Sequence, residues 1–91
     1  MVEYLYVIAA NKNGPVKLGY SKHPDKRLKQ LQTGNPELLL LHHCELVELD
    51  NIRNAEKELH RILGYCRLKG EWFNLSVDDA ILEAVHARMC A

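Results

Sequence analysis

Four side chains of this 91-residue chain carry groups that together could act on a phosphate ester. Tyr6 ends the triplet Tyr4-Leu5-Tyr6. Lys17 opens the triplet Lys17-Leu18-Gly19. Arg27 follows, and Glu56 lies further along. A phenol can take or give a proton. An ammonium and a guanidinium bind phosphate oxygens, the guanidinium most strongly when it is partly shielded from water. A carboxylate can hold a divalent metal ion. The stretch from Tyr4 to Arg27 thus has the chemistry needed to hold a phosphodiester.

These groups act together only if the backbone gathers them. Tyr4 to Ile8 is aromatic and β-branched and reads as a strand, and Val16 to Tyr20 reads as a second. Between them Asn11-Lys12-Asn13-Gly14-Pro15 is dense in turn residues, so the pair forms a β-hairpin. With an even-length loop, Tyr6 and Lys17 share one face with Gly19 beside them, and the glycine leaves room for a ligand or another group. Leu5, Val7, Val16, Leu18 and Tyr20 then share the other face. Pro24 suits the first position of a helix whose apolar residues are Leu28 and Leu31, and Gly34 and Pro36 stop it. Arg27 falls about 60° from the centre of that stripe, at the border of the buried face, with Lys26 and Lys29 further outward.

Leu38 to Leu46 reads as a third strand, although four consecutive leucines leave its period ambiguous. Asp50 or Asn51 caps a second helix, whose stripe is Ile52, Ala55, Leu59, Ile62 and Leu63, with Gly64 at its end. Glu56 lies about 20° from Leu63 on this helix, beside the stripe, where a carboxylate needs a partner. His60 is one turn on, on the same flank. Gly70 to Leu75 is extended or a short strand. Ser76 then caps a last helix whose buried face is Val77, Ile81, Ala84 and Val85. The expected fold is α+β: a small three-stranded antiparallel sheet flanked by three helices, in the order ββαβα(β)α, as one domain over 1–91 with its core in about 3–75 and its last helix at 76–89.

Taken singly, each polar residue also has a plainer explanation. Tyr6 could be a core tyrosine, Lys17 an edge lysine, His60 a helix-surface histidine, and Arg27 with Glu56 a structural ion pair. His42 and His43 point to opposite faces of a strand, so at most one of them joins any site.

Composition limits the rest. A chain this short buries only ~60–65% of its unfolded surface, so one modest core is expected. The apolar share of 47% is normal for a globular protein. Cys44, Cys66 and Cys90 are odd in number and widely spaced, which suggests neither a zinc site nor a disulfide framework and fits a reducing, cytoplasmic setting. No basic, apolar leader opens the chain, and the run Leu38 to Leu41 is far too short to span a membrane. The net charge is zero, yet Lys12, Lys17, Lys22, Lys26, Arg27 and Lys29 cluster against Asp25 alone, whereas Glu37 to Asp50 contains acids and no Lys or Arg. Such a local basic patch can steer a polyanion, or can be a solvated helix face.

In order and spacing, Tyr4-Leu5-Tyr6, Lys17-Leu18-Gly19, Arg27, a helical glutamate and Asn74 resemble the GIY-YIG nuclease superfamily. The strings VKLGYSKHPDKRLKQLQTGNPE, AEKELH and GEWFNL look most like the phage and bacterial branch in which lysine replaces the second motif tyrosine. The resemblance runs from about residue 3 to 75. It implies an endonuclease that hydrolyses DNA with one Mg²⁺ (or Mn²⁺) ion. Glu56 would hold the metal, Tyr6 would take a proton from the attacking water, and Arg27 would stabilise the pentavalent transition state. Lys17 would lower the pKa of the Tyr6 phenol or bind phosphate itself. Gly19, Tyr20, His60 and Asn74 would support the site, and Lys12, Lys22, Lys26 and Lys29 would bind the nucleic-acid backbone. DNA is the expected partner, with RNA an open alternative, no membrane, and a homodimer or a partner protein to supply specificity. Two competing readings stand beside it: a nucleic-acid-binding module of the same fold without catalysis, and a protein-interaction domain whose Arg27–Glu56 contact is only an ion pair.

Overall fold

A computed structural model gives the fold, and the description covers residues 2–48 and 52–90. Strand β1 (Val2–Ala9) and strand β2 (Val16–Ser21) form the expected hairpin. Their register pairs Tyr6 with Gly19 and Ile8 with Lys17, so Tyr6, Ile8, Lys17 and Gly19 share one face of the sheet. Helix α1 (Pro24–Gln32) begins at Pro24 and lays Leu28 and Leu31 on this face, against Tyr6 and Ile8.

Strand β3 (Leu40–Glu48) starts two residues later than expected and pairs with the far side of β1. The cause is Gln32 at the end of α1. Its side-chain nitrogen donates to the carbonyls of Asn35 (3.3 Å) and Glu37 (2.8 Å), and its oxygen accepts from the Leu39 N–H (2.8 Å). These bonds satisfy the backbone as a loop and delay the ladder. The leucine run then resolves by alternation: Leu39 and Leu41 face α1, while Leu38 and Leu40 are exposed. The register of β3 shifts at Val7/Ile8, where His42 is the extra residue and meets the Ala9 carbonyl through Nε2 (3.2 Å).

Helix α2 (Ile52–Ile62) and helix α3 (Val77–Cys90) cover the opposite face. There Ala55, Leu59 and Leu63 from the α2 region and Val77, Ala80 and Ala84 of α3 pack with Leu5, Val7, Val16, Leu18 and Phe73. The buried face of α3 therefore includes Ala80, with Ile81 only partly buried. Ser76 caps α3 as expected, its Oγ accepting the Asp79 N–H at 3.1 Å. The expected cap of α2, Asp50 or Asn51, lies outside the described residues.

The class is α+β, but the sheet has five strands rather than three, in the order β3-β1-β2-β5-β4. After a 3₁₀ turn at Gly64–Cys66, strands β4 (Arg67–Lys69) and β5 (Trp72–Phe73) make a second hairpin, which joins β2 through Val16↔Phe73 and Lys17↔Trp72. Arg67, Leu68 and Lys69 are all exposed, so β4 lacks the apolar alternation that marks a strand in sequence. Gly70 turns this hairpin at φ 59°, a left-handed conformation that costs glycine little. No helix among the described residues is long and apolar enough to cross a membrane.

Candidate functional site

The α1 face of the sheet holds a polar cluster around one buried phenol. Tyr6 is only 1% exposed. Its hydroxyl accepts a hydrogen bond from Arg27 Nε (3.4 Å) and donates one to Glu71 Oε2 (3.4 Å). The same Glu71 oxygen pairs with Lys17 Nζ at 3.5 Å. Lys17 is nearly as buried as Tyr6, at 7% exposed, and its ammonium also stands 5.7 Å over the centre of the Trp72 ring. Both contacts compensate a cation that would otherwise be costly to bury.

Each neighbour arrives by a local rule. Tyr6 and Lys17 come from adjacent strands with the register that an even loop dictates. Arg27 projects from the border of the α1 stripe, half-buried. Glu71 follows the Gly70 turn, with its carbonyl accepting the Leu18 N–H (3.3 Å), which locks β5 onto β2 at this level. Gly19 makes the packing possible. A Cβ there would lie 2.7 Å from the Tyr6 hydroxyl and 3.0 Å from Glu71 Oε2, so only glycine lets the phenol and the carboxylate close over β2.

Burial pushes the Tyr6 phenol above its usual pKa. The Arg27 hydrogen bond opposes that shift, and the negative charge of Glu71 adds to it. Lys17 is not among the groups that shift Tyr6; its ammonium pairs with Glu71. Arg27 in turn is held more firmly protonated, chiefly by its bond to Tyr6.

The carboxylate of this cluster is Glu71, not Glu56. Glu56 is on α2, which packs under the opposite face, and among the described residues no hydrogen bond or ion pair joins it to Tyr6, Lys17 or Arg27. It lines a surface cleft with Arg53, Lys57 and His60. His60 is likewise on that side, its ring edge-on to Phe73 at 5.9 Å. Tyr20 packs against the α2/α3 core, away from Tyr6. Asn74 is exposed just beyond β5, one residue past the Val16↔Phe73 pair, and its N–H donates to the Cys66 carbonyl (2.7 Å). The alternative of an Arg27–Glu56 ion pair has no counterpart among the described residues, where Arg27 meets Tyr6. The helical periodicity that drew attention to Glu56 was real, but periodicity says which flank of a helix a residue occupies, not which face of the sheet that helix covers. Glu71 and Trp72 stand in the string GEWFNL, and the signal that could have found them is parity: a short strand paired with β2 brings Trp72 beside Lys17.

Lys12, Lys22, Lys26 and Lys29 are exposed, on the hairpin turn, just after β2 and on α1. Lys26 and Lys29 lie on α1 with Arg27, and Lys22 just before it, whereas the Lys12 carbonyl accepts the Val77 N–H (2.8 Å) at the start of α3. For a divalent cation, Glu71 is a suitable carboxylate: its side chain is 32% exposed, and a small hard cation that keeps several waters needs only one or two such oxygens besides phosphate. Among the described residues no three His, Cys, Asp or Glu side chains gather as an all-protein metal cage.

No curated protein and no solved structure matches the chain. The profile of the T5orf172 domain, however, matches residues 3–88, nearly the whole length and including every member of the Tyr6 cluster. The chain belongs to the T5orf172 domain family, a domain found in nuclease-like proteins of phages and bacteria.

Proposed function

We propose that this domain is a metal-dependent endonuclease of the GIY-YIG type, hydrolysing DNA phosphodiester bonds at the Tyr6–Arg27–Lys17–Glu71 cluster. The observation that carries this reading is the buried Tyr6 hydroxyl held between a guanidinium and a carboxylate. A buried phenol needs a partner for its hydroxyl, and here both partners are charged.

Arg27 lies where it can do two things. Its Nε donates into the Tyr6 oxygen and favours the phenolate, and the rest of its guanidinium can meet the charge that builds on phosphorus during attack. Tyr6 acts as general base, taking a proton from the attacking water. Its elevated pKa means that the active phenolate is a minor form at neutral pH, so the rate rises with pH. Lys17 holds Glu71 in place and adds positive charge beside the phosphate. Glu71 would hold Mg²⁺ (or Mn²⁺), which when bound supplies Lewis-acid charge to the phosphate and the leaving oxygen. Lys22, Lys26 and Lys29 would follow the DNA backbone.

The test is a plasmid-nicking assay with and without Mg²⁺. Glu71→Gln is expected to lower metal-dependent cleavage by on the order of 10²–10³. Glu56→Ala is expected to stay near wild type, since it is on the other face of the sheet. Full activity in Glu71→Gln would sink the assignment. One observation favours a second reading, a binding module without hydrolysis: Lys17 neutralises the very carboxylate that would take the metal. Salt-sensitive DNA binding without chelator-sensitive nicking would select it.

A further inference from the structure

Beside the Tyr6 cluster, on the same face of the sheet, lies a second concavity. It is a slot of about 230 Å³ walled by Ala10, Pro15, Leu39 and Trp72, with Asn35 and Glu37 at the α1-loop side. Three features define what it can take.

The first is its wall. Trp72 offers a large half-buried aromatic surface, and Leu39 and Pro15 are apolar. Among the described residues that line it there is no cation, and Glu37 contributes a carboxylate. A phosphate is therefore disfavoured inside the slot, whereas a planar ring with amino groups on its edge is suited to it. The volume admits one such ring system rather than a drug-sized ligand.

The second is its place. Trp72 pairs directly with Lys17 in the ladder, and the Lys17 ammonium stands over the ring. The slot thus begins where the phosphate-handling cations end, within reach of a nucleotide whose phosphate lies at Lys17 and Arg27.

The third is its rigidity. The loop carrying Asn35, Glu37 and Leu39 is clamped by the three hydrogen bonds of Gln32. Asn35 Oδ1 also accepts the Glu37 N–H at 2.9 Å. A wall fixed before binding loses little entropy when a ligand enters.

We propose that this slot is a nucleobase subsite, in which one unstacked base of the bound strand stacks on Trp72 beside the phosphate held by the Tyr6 cluster. The proposal rests on the nuclease-or-binding reading above and adds the element that makes the domain grip a base as well as a backbone. Base–aromatic stacking of this kind tolerates any sequence, which suits a domain that cuts or binds loosely.

Trp72 is the sole tryptophan of the chain, so its fluorescence reports on the slot directly. The experiment compares a ten-nucleotide single-stranded DNA with a ten-unit abasic deoxyribose-phosphate oligomer of equal charge. Both carry an end label for anisotropy, and chelator is present so that nothing is cut. The DNA is expected to bind and to quench Trp72. The abasic oligomer is expected to bind roughly tenfold or more weakly and to leave the emission unchanged. Trp72→Leu should lose a similar factor for DNA and a smaller one for the abasic oligomer, because the ring also faces Lys17. Ala10→Leu, which fills the slot from its far wall, should reproduce that loss with the tryptophan in place. Equal binding of the two oligomers without quenching would overturn the base subsite and leave the phosphate reading standing. Binding of neither, even at low salt, would overturn both.

Discussion

The two faces of the β1–β2 hairpin divide the molecule. On one, Leu5, Val7, Val16 and Leu18 meet α2 and α3 in a core of apolar side chains. On the other, interleaved one residue apart along the same strands, Tyr6 and Lys17 are buried just as deeply but surrounded by Arg27, Glu71 and Trp72. Burial stabilises the first face because it removes apolar surface from water. On the second it costs solvation, which only ion pairs and hydrogen bonds offset. A small domain that can bury little overall gains nothing from such a cluster as packing, which is why the second face reads as the working one.

The contrast makes separable demands on the two faces. The largest effect expected is on the polar side: Arg27→Ala should reduce cleavage by about 10²–10³, read in the nicking assay. Its urea midpoint should stay close to wild type, because the side chain is half-buried at a surface. Next, Leu59→Ala on the apolar side should destabilise the fold by about 2–5 kcal/mol in urea unfolding while the folded fraction retains its specific activity. Loss of activity per folded molecule in that variant would break the division between faces. Gly19→Ala is the sharpest intermediate case. Its new Cβ would press on the Tyr6 hydroxyl and Glu71, so it should cost about 1–3 kcal/mol and also abolish most cleavage, although no functional group has been removed.

The smallest effect is spectroscopic. Tyr6 should form phenolate only above the range of free tyrosine, measured as the difference in alkaline absorbance titration between wild type and Tyr6→Phe. The sign follows from linkage. The folded pKa lies above the unfolded value of about 10, so the stability contributed by the neutral phenol is fully present below pH ~10 and is lost as pH rises through the folded pKa. A Tyr6 titration at or below that of free tyrosine would mean that Arg27 outweighs burial, and the rise of rate with pH would then level off earlier.

Much of this arrangement was legible in the residues. Given an even-length loop, the alternation on either side of Asn11–Pro15 put Tyr6, Lys17 and Gly19 on one face, and the Ala9↔Val16 pair supplies that parity. Pro24 and the Leu28/Leu31 stripe were enough to bring Arg27 to the edge of the same face. The Ser76 cap was equally local.

What helical periodicity could not reach was the carboxylate that lies beside Tyr6. Glu56 and Glu71 are both glutamates near apolar residues, and nothing local says that α2 crosses to the far side of the sheet while the short Trp72–Phe73 strand docks on β2. Those are long-range choices. They depend on which apolar faces find each other, and the exposed β4 strand leaves no alternating pattern to announce them. The sequence by itself determined the phenol, the ammonium and the guanidinium, because neighbouring elements and fixed periods set their geometry. Only the tertiary structure decided which acid completes the cluster and that Trp72 stands beside it, because strand docking and helix side are settled by packing across the whole chain.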